Sequence, residues 1–336
     1  MKHIVIGFDG FVDTLLDCVN KRLNPKKYRP IKTITEFAAK AHLSAGKSAN
    51  IELVAQEQAL GGNGPLLAQG LASLGFRIEL FGCCGLPTLH PVFKNLKNHG
   101  VKITSFAEPG YTDALEFTDG KLLLGKMGEL GKITLKETLH RISEKHLLQS
   151  IQESPLIASV NWTMMPLIGE FWKWLFIHRK KIQHRPYLFV DLADPAKRPQ
   201  KELQRDINLL AKLNTYCPVV LGLNRSEAEQ IATLFKSHTS QSLKTTAQTL
   251  IKQTNLNCII IHTRHEVAGA THEEAHVLTV PYCKHPKRQT GAGDNFNAGI
   301  IAGILHKKPL EQILQSGIST SGIWVRKGKP ASHLEE

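Results

Sequence analysis

Thr290-Gly291-Ala292-Gly293-Asp294-Asn295-Phe296-Asn297-Ala298-Gly299 leads directly into an apolar helical run ending at Leu305. Small residues let the backbone approach a ligand closely. A helix that begins among them points unpaired N–H groups and the positive end of its dipole outward, so the stretch reads as an anion cradle. Asp294 falls in the first helical turn, where a carboxylate is stable and could take a proton from an attacking hydroxyl. Read alone, Gly-Ala-Gly is equally well a tight connection and Asp294 a cap. A second cluster, Gly61-Gly62-Asn63-Gly64, also enters a helix (Pro65–Leu74) after a strand-like run. It could be a hairpin-like turn, yet two glycine entries into helices suggest two ligand surfaces.

Outward from these two points the chain alternates. Short apolar runs at residues 3–8, 78–81, 156–160, 187–190, 219–221 and 258–261 suit buried parallel strands. Amphipathic helical stretches lie between them at 64–74, 91–99, 135–149, 201–213, 226–235 and 243–253. That order predicts an α/β fold, a mostly parallel sheet with helices on both faces. Two stretches break it: Asn50–Ala59, and Asp113–Leu124 around the hairpin signal Asp119-Gly120. Strands without crossover helices should leave the main sheet, which predicts a small β flap able to shut water out of a site. Ile34–Ala41 reads helical, so the P-loop-like run from Ala41 to Gly46-Lys47-Ser48 has helix before it and strand after it, the reverse of a P-loop.

At 336 residues and 37.3 kDa the chain suits one large α/β domain or a core with an appendage, and it can bury a core without disulfides. With 42% hydrophobic and 21% charged residues it is neither disordered nor fibrous. Six cysteines without a CxxC pair point to a reduced, intracellular setting. The run Met1–Phe8 meets Asp9 and Asp13 too soon for a signal peptide, and no apolar stretch approaches a membrane span, so the expected location is cytoplasmic. The net charge of +13 is dispersed and only 7% of residues are aromatic. Such a balance could serve nucleic acid, an anionic membrane surface or anionic small substrates, but no nucleic-acid-binding signature accompanies it and an ordinary basic surface accounts for it, so charge alone decides nothing.

Gly61-Gly62, with Ala68, Leu71-Ala72 and Leu74-Gly75 after it, and Gly291-Ala292-Gly293-Asp294 resemble the two signatures of the ribokinase-like (PfkB) carbohydrate kinase family. Their order and separation, the alternation and the flap extend the resemblance over nearly the whole chain. It implies a three-layer α/β/α fold over residues 1–336 as a single kinase domain, with lid strands from about 14–60 and 108–126. It also implies phosphoryl transfer from ATP·Mg²⁺ to a hydroxyl of a sugar or related alcohol. By position, Asp294 would be the base and Gly291, Ala292 and Gly293 the anion hole. Asn224 and Glu227 resemble the family's Asn-x-x-Glu, whose Glu helps hold magnesium through water; read alone, they are a helix start. Asp13, placed on the turn after the first strand, resembles the sugar-hydroxyl ligand, with Asp9 as its rival. Gly61, Gly62 and Asn63 would border the acceptor, and Arg288 and Thr290 the nucleotide. Lid strands in such proteins often pair between subunits, which allows a homodimer through the lid without fixing one.

The sequence departs from that pattern in places. Arg288 and Gln289 stand where the family has Asp-Thr, and that Asp helps bind a monovalent cation in relatives. A guanidinium would repel such an ion, so Arg288 should replace the cation or contact phosphate, and turnover should be potassium-independent. Leu66 stands where a sugar-facing Asn is common, and Gly317 where another Asn is. Asp191 and Asp194 could face the phosphates or cap the next segment. His262, His265, His272 and His276 lack metal-site spacing. The expected activity is a carbohydrate kinase. A nucleoside kinase of the same fold is the alternative, followed by a non-catalytic ligand-binding relative, with no nucleic acid or membrane partner.

Overall fold

The apolar run after Lys2 forms strand β1 (His3–Gly7), and in the computed structural model, which describes residues 2–237 and 240–332, it is an interior strand of a nine-stranded sheet. The expectation that placed Asp13 on a turn is corrected here. After only Phe8, Asp9 and Gly10 the chain enters a 14-residue strand, β2 (Phe11–Asn24), and leaves the main sheet. A hairpin partner β3 (Lys27–Pro30), helix α1 (Ile34–His42) and strand β4 (Leu53–Gly61) follow. The P-loop-like run thus lies between helix and strand as expected. Helix α2 (Asn63–Ser73) and strand β5 (Arg77–Gly82) return the chain to the main sheet, and α3 (Pro91–Asn98) leads to β6 (Val101–Ser105) at its edge. The hairpin β7 (Gly110–Phe117) and β8 (Gly120–Lys126) completes a second, five-stranded sheet in which β2 pairs with β3, β4 and β7.

The segment read as one helix over 135–149 is two, α4 (Leu135–Ile142) and α5 (Glu144–Gln152). Ser143 adopts φ 69° between them, a left-handed backbone that no continuous helix accommodates. Then come β9 (Leu156–Val160), α6 (Leu167–His178), β10 (Tyr187–Asp191), α7 (Gln200–Leu213), β11 (Val219–Asn224), α8 (Arg225–Leu234), α9 (Leu243–Thr254) and β12 (Cys258–His262). The hairpin β13 (Glu266–Ala270) and β14 (Ala275–Thr279) ends the sheet, followed by helices α10 (Ala292–Leu305) and α11 (Leu310–Lys327). The sheet order is β14-β13-β12-β11-β10-β9-β1-β5-β6, parallel except for β13 and β14.

Alternate residues of the strands feed two cores. Ile157, Leu188 and Leu221 face one, where α4 to α9 contribute Leu147, Trp172, Ile207 and Leu250. Ile4, Ile6 and Val220 face the other, formed with α2, α3, α10 and α11. Helix α10 is buried from Asp294 to Leu305, which explains an apolar run with no polar face. Each buried Ile there, such as Ile300 or Ile301, contributes on the order of 2 kcal/mol. A Cβ at Gly299 would lie 2.3 Å from Ser316 O, so α10 and α11 touch backbone to backbone. The packing pins the start of α10 at the C-terminal edge of the parallel strands, where open α/β sheets place their ligands.

Candidate active site

Three chain segments meet at one carboxylate. Asp9, fully buried just after β1, accepts from Asn63 N at 2.8 Å and Gly64 N at 2.7 Å. It therefore caps α2, whose N-cap Gly62 has no side chain to do so. It also accepts from Asn161 Nδ2 at 2.6 Å. Burial pushes its pKa up to about 6, with these donors working against the rise. Its oxygens are thus engaged within the protein. Asn63 in turn donates through Nδ2 to Asp294 Oδ1 at 2.9 Å, linking the two glycine-led helix starts.

Asp294 is 8% exposed in the first turn of α10. Burial, then the charges of Asp191 and Asp9, raise its pKa well above the usual carboxylate range; Asn63 and Lys121 oppose the rise. A carboxylate so poised is a better proton acceptor than an exposed one. Ahead of it Gly291 takes φ +88°, and a Cβ there would meet the Trp324 ring at 2.9 Å. Trp324 Nε1 donates to Thr290 O at 2.9 Å and fixes the bend.

Asp13 is 7% exposed on β2. A Cβ on Gly61 would lie 2.3 Å from Asp13 Oδ1, so only glycine leaves that carboxylate its place. Burial raises the Asp13 pKa, and the Thr112 hydroxyl and the charges of Lys121 and Arg288 lower it. Arg288 lies over the Trp324 ring at 5.0 Å and lines a small cavity with Gln58, Gln69 and Asn95. Its charge acts on Asp13.

A cleft of about 580 Å³ runs from Ala292 and Gly293 along His262, Phe296 and Ile318 to Tyr282. Its size suits a nucleotide. Burial alone holds the His262 pKa down to about 4, so its ring is neutral. Asn224 caps α8 by accepting from Glu227 N, and Glu227 returns the bond to Asn224 N at 2.8 Å and accepts from Asp194 N at 2.8 Å. Burial and then Asp191 raise the Glu227 pKa. Asp191 accepts from Asn297 Nδ2 at 2.7 Å, whereas Asp194 is half exposed beside Lys197.

The structure therefore brings Asp9, Gly61, Gly62, Asn63 and Asp13 together with Thr290, Gly291, Ala292, Gly293 and Asp294. Asn224 and Glu227 sit with Asp191 at the neighbouring strand ends β11 and β10. Sequence reasoning missed Lys121, whose Nζ donates to Thr290 Oγ1 at 2.9 Å, and Asn161, at φ 64°. A lone lysine after a hairpin turn carries no motif. Asn161, directly after an apolar strand, carried only the weak signal of a polar residue at a strand end.

Solved structures share this architecture. A carbohydrate kinase from Agrobacterium tumefaciens superposes with a TM-score of 0.67 at 18% identity, covering 100% of this chain and 94% of that one. Ribokinase from Thermotoga maritima gives 0.63 at 15%, covering 100% and 97%. Adenosine kinase from Sinorhizobium meliloti gives 0.68 at 15%, covering 99% and 97%; at such identities the likeness is one of fold. A curated relative, the ketohexokinase of Haloferax volcanii, is 26% identical over 346 aligned residues, 99% of this chain and 89% of that protein. The class is that of ribokinase-like sugar kinases, enzymes that phosphorylate a sugar from ATP. Within it the chain belongs to the prokaryotic ketohexokinase family, whose model matches residues 1–335.

Proposed function

We propose that the protein transfers the γ-phosphoryl group of ATP·Mg²⁺ to a hydroxyl of a ketohexose, with a homodimer through the second sheet as its expected assembly. Asp13 holds the sugar through its hydroxyls. Asp294 accepts the proton of the attacking hydroxyl, and the N–H groups at Gly291–Gly293 receive the charge of the phosphoryl oxygens. Family membership supports the substrate class. The observation that carries the roles is the buried, pKa-raised Asp294, one residue beyond the wall of the nucleotide-sized cleft.

Magnesium fits the residues present. Beyond burial, the charge of Asp191 raises the Glu227 pKa and that of Asp9 raises the Asp191 pKa, so a cation nearby would relieve uncompensated negative charge. Among the described residues no three acidic, cysteine or histidine side chains converge to hold a metal by themselves. That donor set suits an ion held chiefly by phosphate oxygens and water, with Glu227 and Asp191 outside its first ring of ligands. Bound there, it would neutralise phosphate charge.

The test is Asp294→Asn with a panel of ketohexoses, aldohexoses and nucleosides. We expect kcat to fall by about 10²–10⁴-fold while calorimetry shows ATP binding kept. A D294N protein turning over at the wild-type rate removes the base assignment, and a wild type that phosphorylates only nucleosides removes the substrate class.

A further inference from the structure

Lys121 reaches the phosphoryl path from the second sheet. It follows Gly120 at the start of β8, and its Nζ crosses to Thr290 Oγ1 at 2.9 Å, a contact between residues 169 apart in sequence. Thr290 is the residue before the anion cradle, and Lys121 lines the same cleft as Ala292 and Gly293. Both Asp13 and Asp294 are influenced by its charge. The ammonium thus stands where the ligand of the acceptor, the base and the cradle converge.

A neutral hydroxyl is a weak reason for a cation to occupy this position. An ammonium has three N–H donors, and among the described residues Thr290 Oγ1 is its one hydrogen-bond acceptor, so two donors remain for a ligand. Loss of water around the amine draws its pKa below the usual lysine value, with Glu116, Asp294 and Asp13 opposing. Such a partly desolvated charge interacts with an incoming anion more strongly than one in bulk water.

We propose that Lys121 is a catalytic residue delivered by the second sheet, whose ammonium binds the transferring phosphoryl group and neutralises the charge on its oxygens. The inference rests on the phosphotransfer reading above. In that step the acceptor O–H bond breaks as its proton passes to Asp294, and a bond forms from that oxygen to the γ-phosphorus. The bond from the γ-phosphorus to the bridging oxygen breaks, and its electron pair stays on ADP. Lys121 neither gains nor loses a proton. In a loose transition state, positioning and charge neutralisation carry the catalysis, which is the contribution an ammonium here makes.

The experiment compares Lys121→Met, which keeps the stem and removes the charge, with Lys121→Arg, which keeps the charge. Thermal unfolding of both is followed to confirm the fold. Calorimetry with ATP·Mg²⁺ and with AMP should show K121M losing roughly 10-fold or more in ATP affinity with AMP unchanged, because a hydrogen bond to a charged group is at stake. Its kcat should fall about 10²-fold, and K121R should recover most of both. Unchanged ATP affinity and kcat in K121M, or equal losses for ATP and AMP, overturn the inference. Sugar turnover by the wild type that persists undiminished in K121M removes this inference and leaves the parent reading intact. A wild type that phosphorylates no sugar, with ATP affinity still lost in K121M, overturns the parent reading and leaves Lys121 a phosphate ligand.

Discussion

Asp294 has its charge set by neighbours that disagree: burial, Asp191 and Asp9 favour the protonated acid, while Asn63 and Lys121 favour the carboxylate. Asn63→Ala removes an N–H that stabilises the charged form, so the Asp294 pKa should rise further. The acid limb of kcat/KM should then move to higher pH by about one unit, the worth of one such hydrogen bond. A pH–rate profile measures it. An unmoved limb with a raised sugar KM would return Asn63 to the sugar-contact role that its place in the glycine cluster suggested. The difference between these roles marks what the sequence could show. The cradle and its acid were legible because their chemistry is local, four consecutive residues at a helix start. The Asn63–Asp294 bond joins residues 231 apart, and no local pattern announces a partner at that distance. Arg288 was legible as a departure from the family pattern, but not its direction, which stacking on Trp324 decides.

The parallel strands and most of their helices could be read from apolar runs and amphipathic spacing, because elements buried on one or both faces must show that period. Strand β2 hid, since an acid that is nearly buried in the fold reads as a turn in the sequence, and its 14 residues serve three partners. The hairpin β13–β14 and strand β6 hid because each strand is only five residues long, with β14 and β6 partly exposed and β13 a small-residue run. The split between α4 and α5 hid because Ser143 fits a helical pattern in composition, and only its backbone breaks it. At this scale the edge strand β8 carries the assembly expectation: Leu123 and Leu124 are each 49% exposed on it, more apolar surface than an unpartnered edge usually offers. Light scattering should give the mass of two chains, and Leu123→Glu with Leu124→Glu should halve it. A wild-type mass of one chain ends that expectation.

Within a chain of net charge +13, the acids Asp9, Asp13, Glu227 and Asp294 are all buried. Arg264, Lys284 and Arg326 line the cleft wall. Far from the cleft, Glu79 is buried on β5, and Ser150 Oγ donates to it at 2.7 Å while Lys102 Nζ lies at 2.7 Å. Burial pushes its pKa up, but His3, Lys102 and Ser150 outweigh that and hold it at about 2, below the ordinary 4.5. A carboxylate with a lowered folded-state pKa contributes stability above its unfolded value and loses it as pH falls through the folded one. Glu79→Gln should therefore be less stable than wild type near neutrality, and the gap should close between about 4.5 and about 2. Urea midpoints against pH measure this, and a gap constant across that window rules it out. One last consequence follows from the three-residue bridge of Phe8, Asp9 and Gly10 between β1 and β2. Asp13 and Lys121 are passengers on the smaller sheet, whereas Asp9 and Asp294 belong to the frame. Were that sheet to pivot, the partners of sugar and phosphate would arrive and depart in concert, so water reaching the base in the open state would meet no ammonium to help it react.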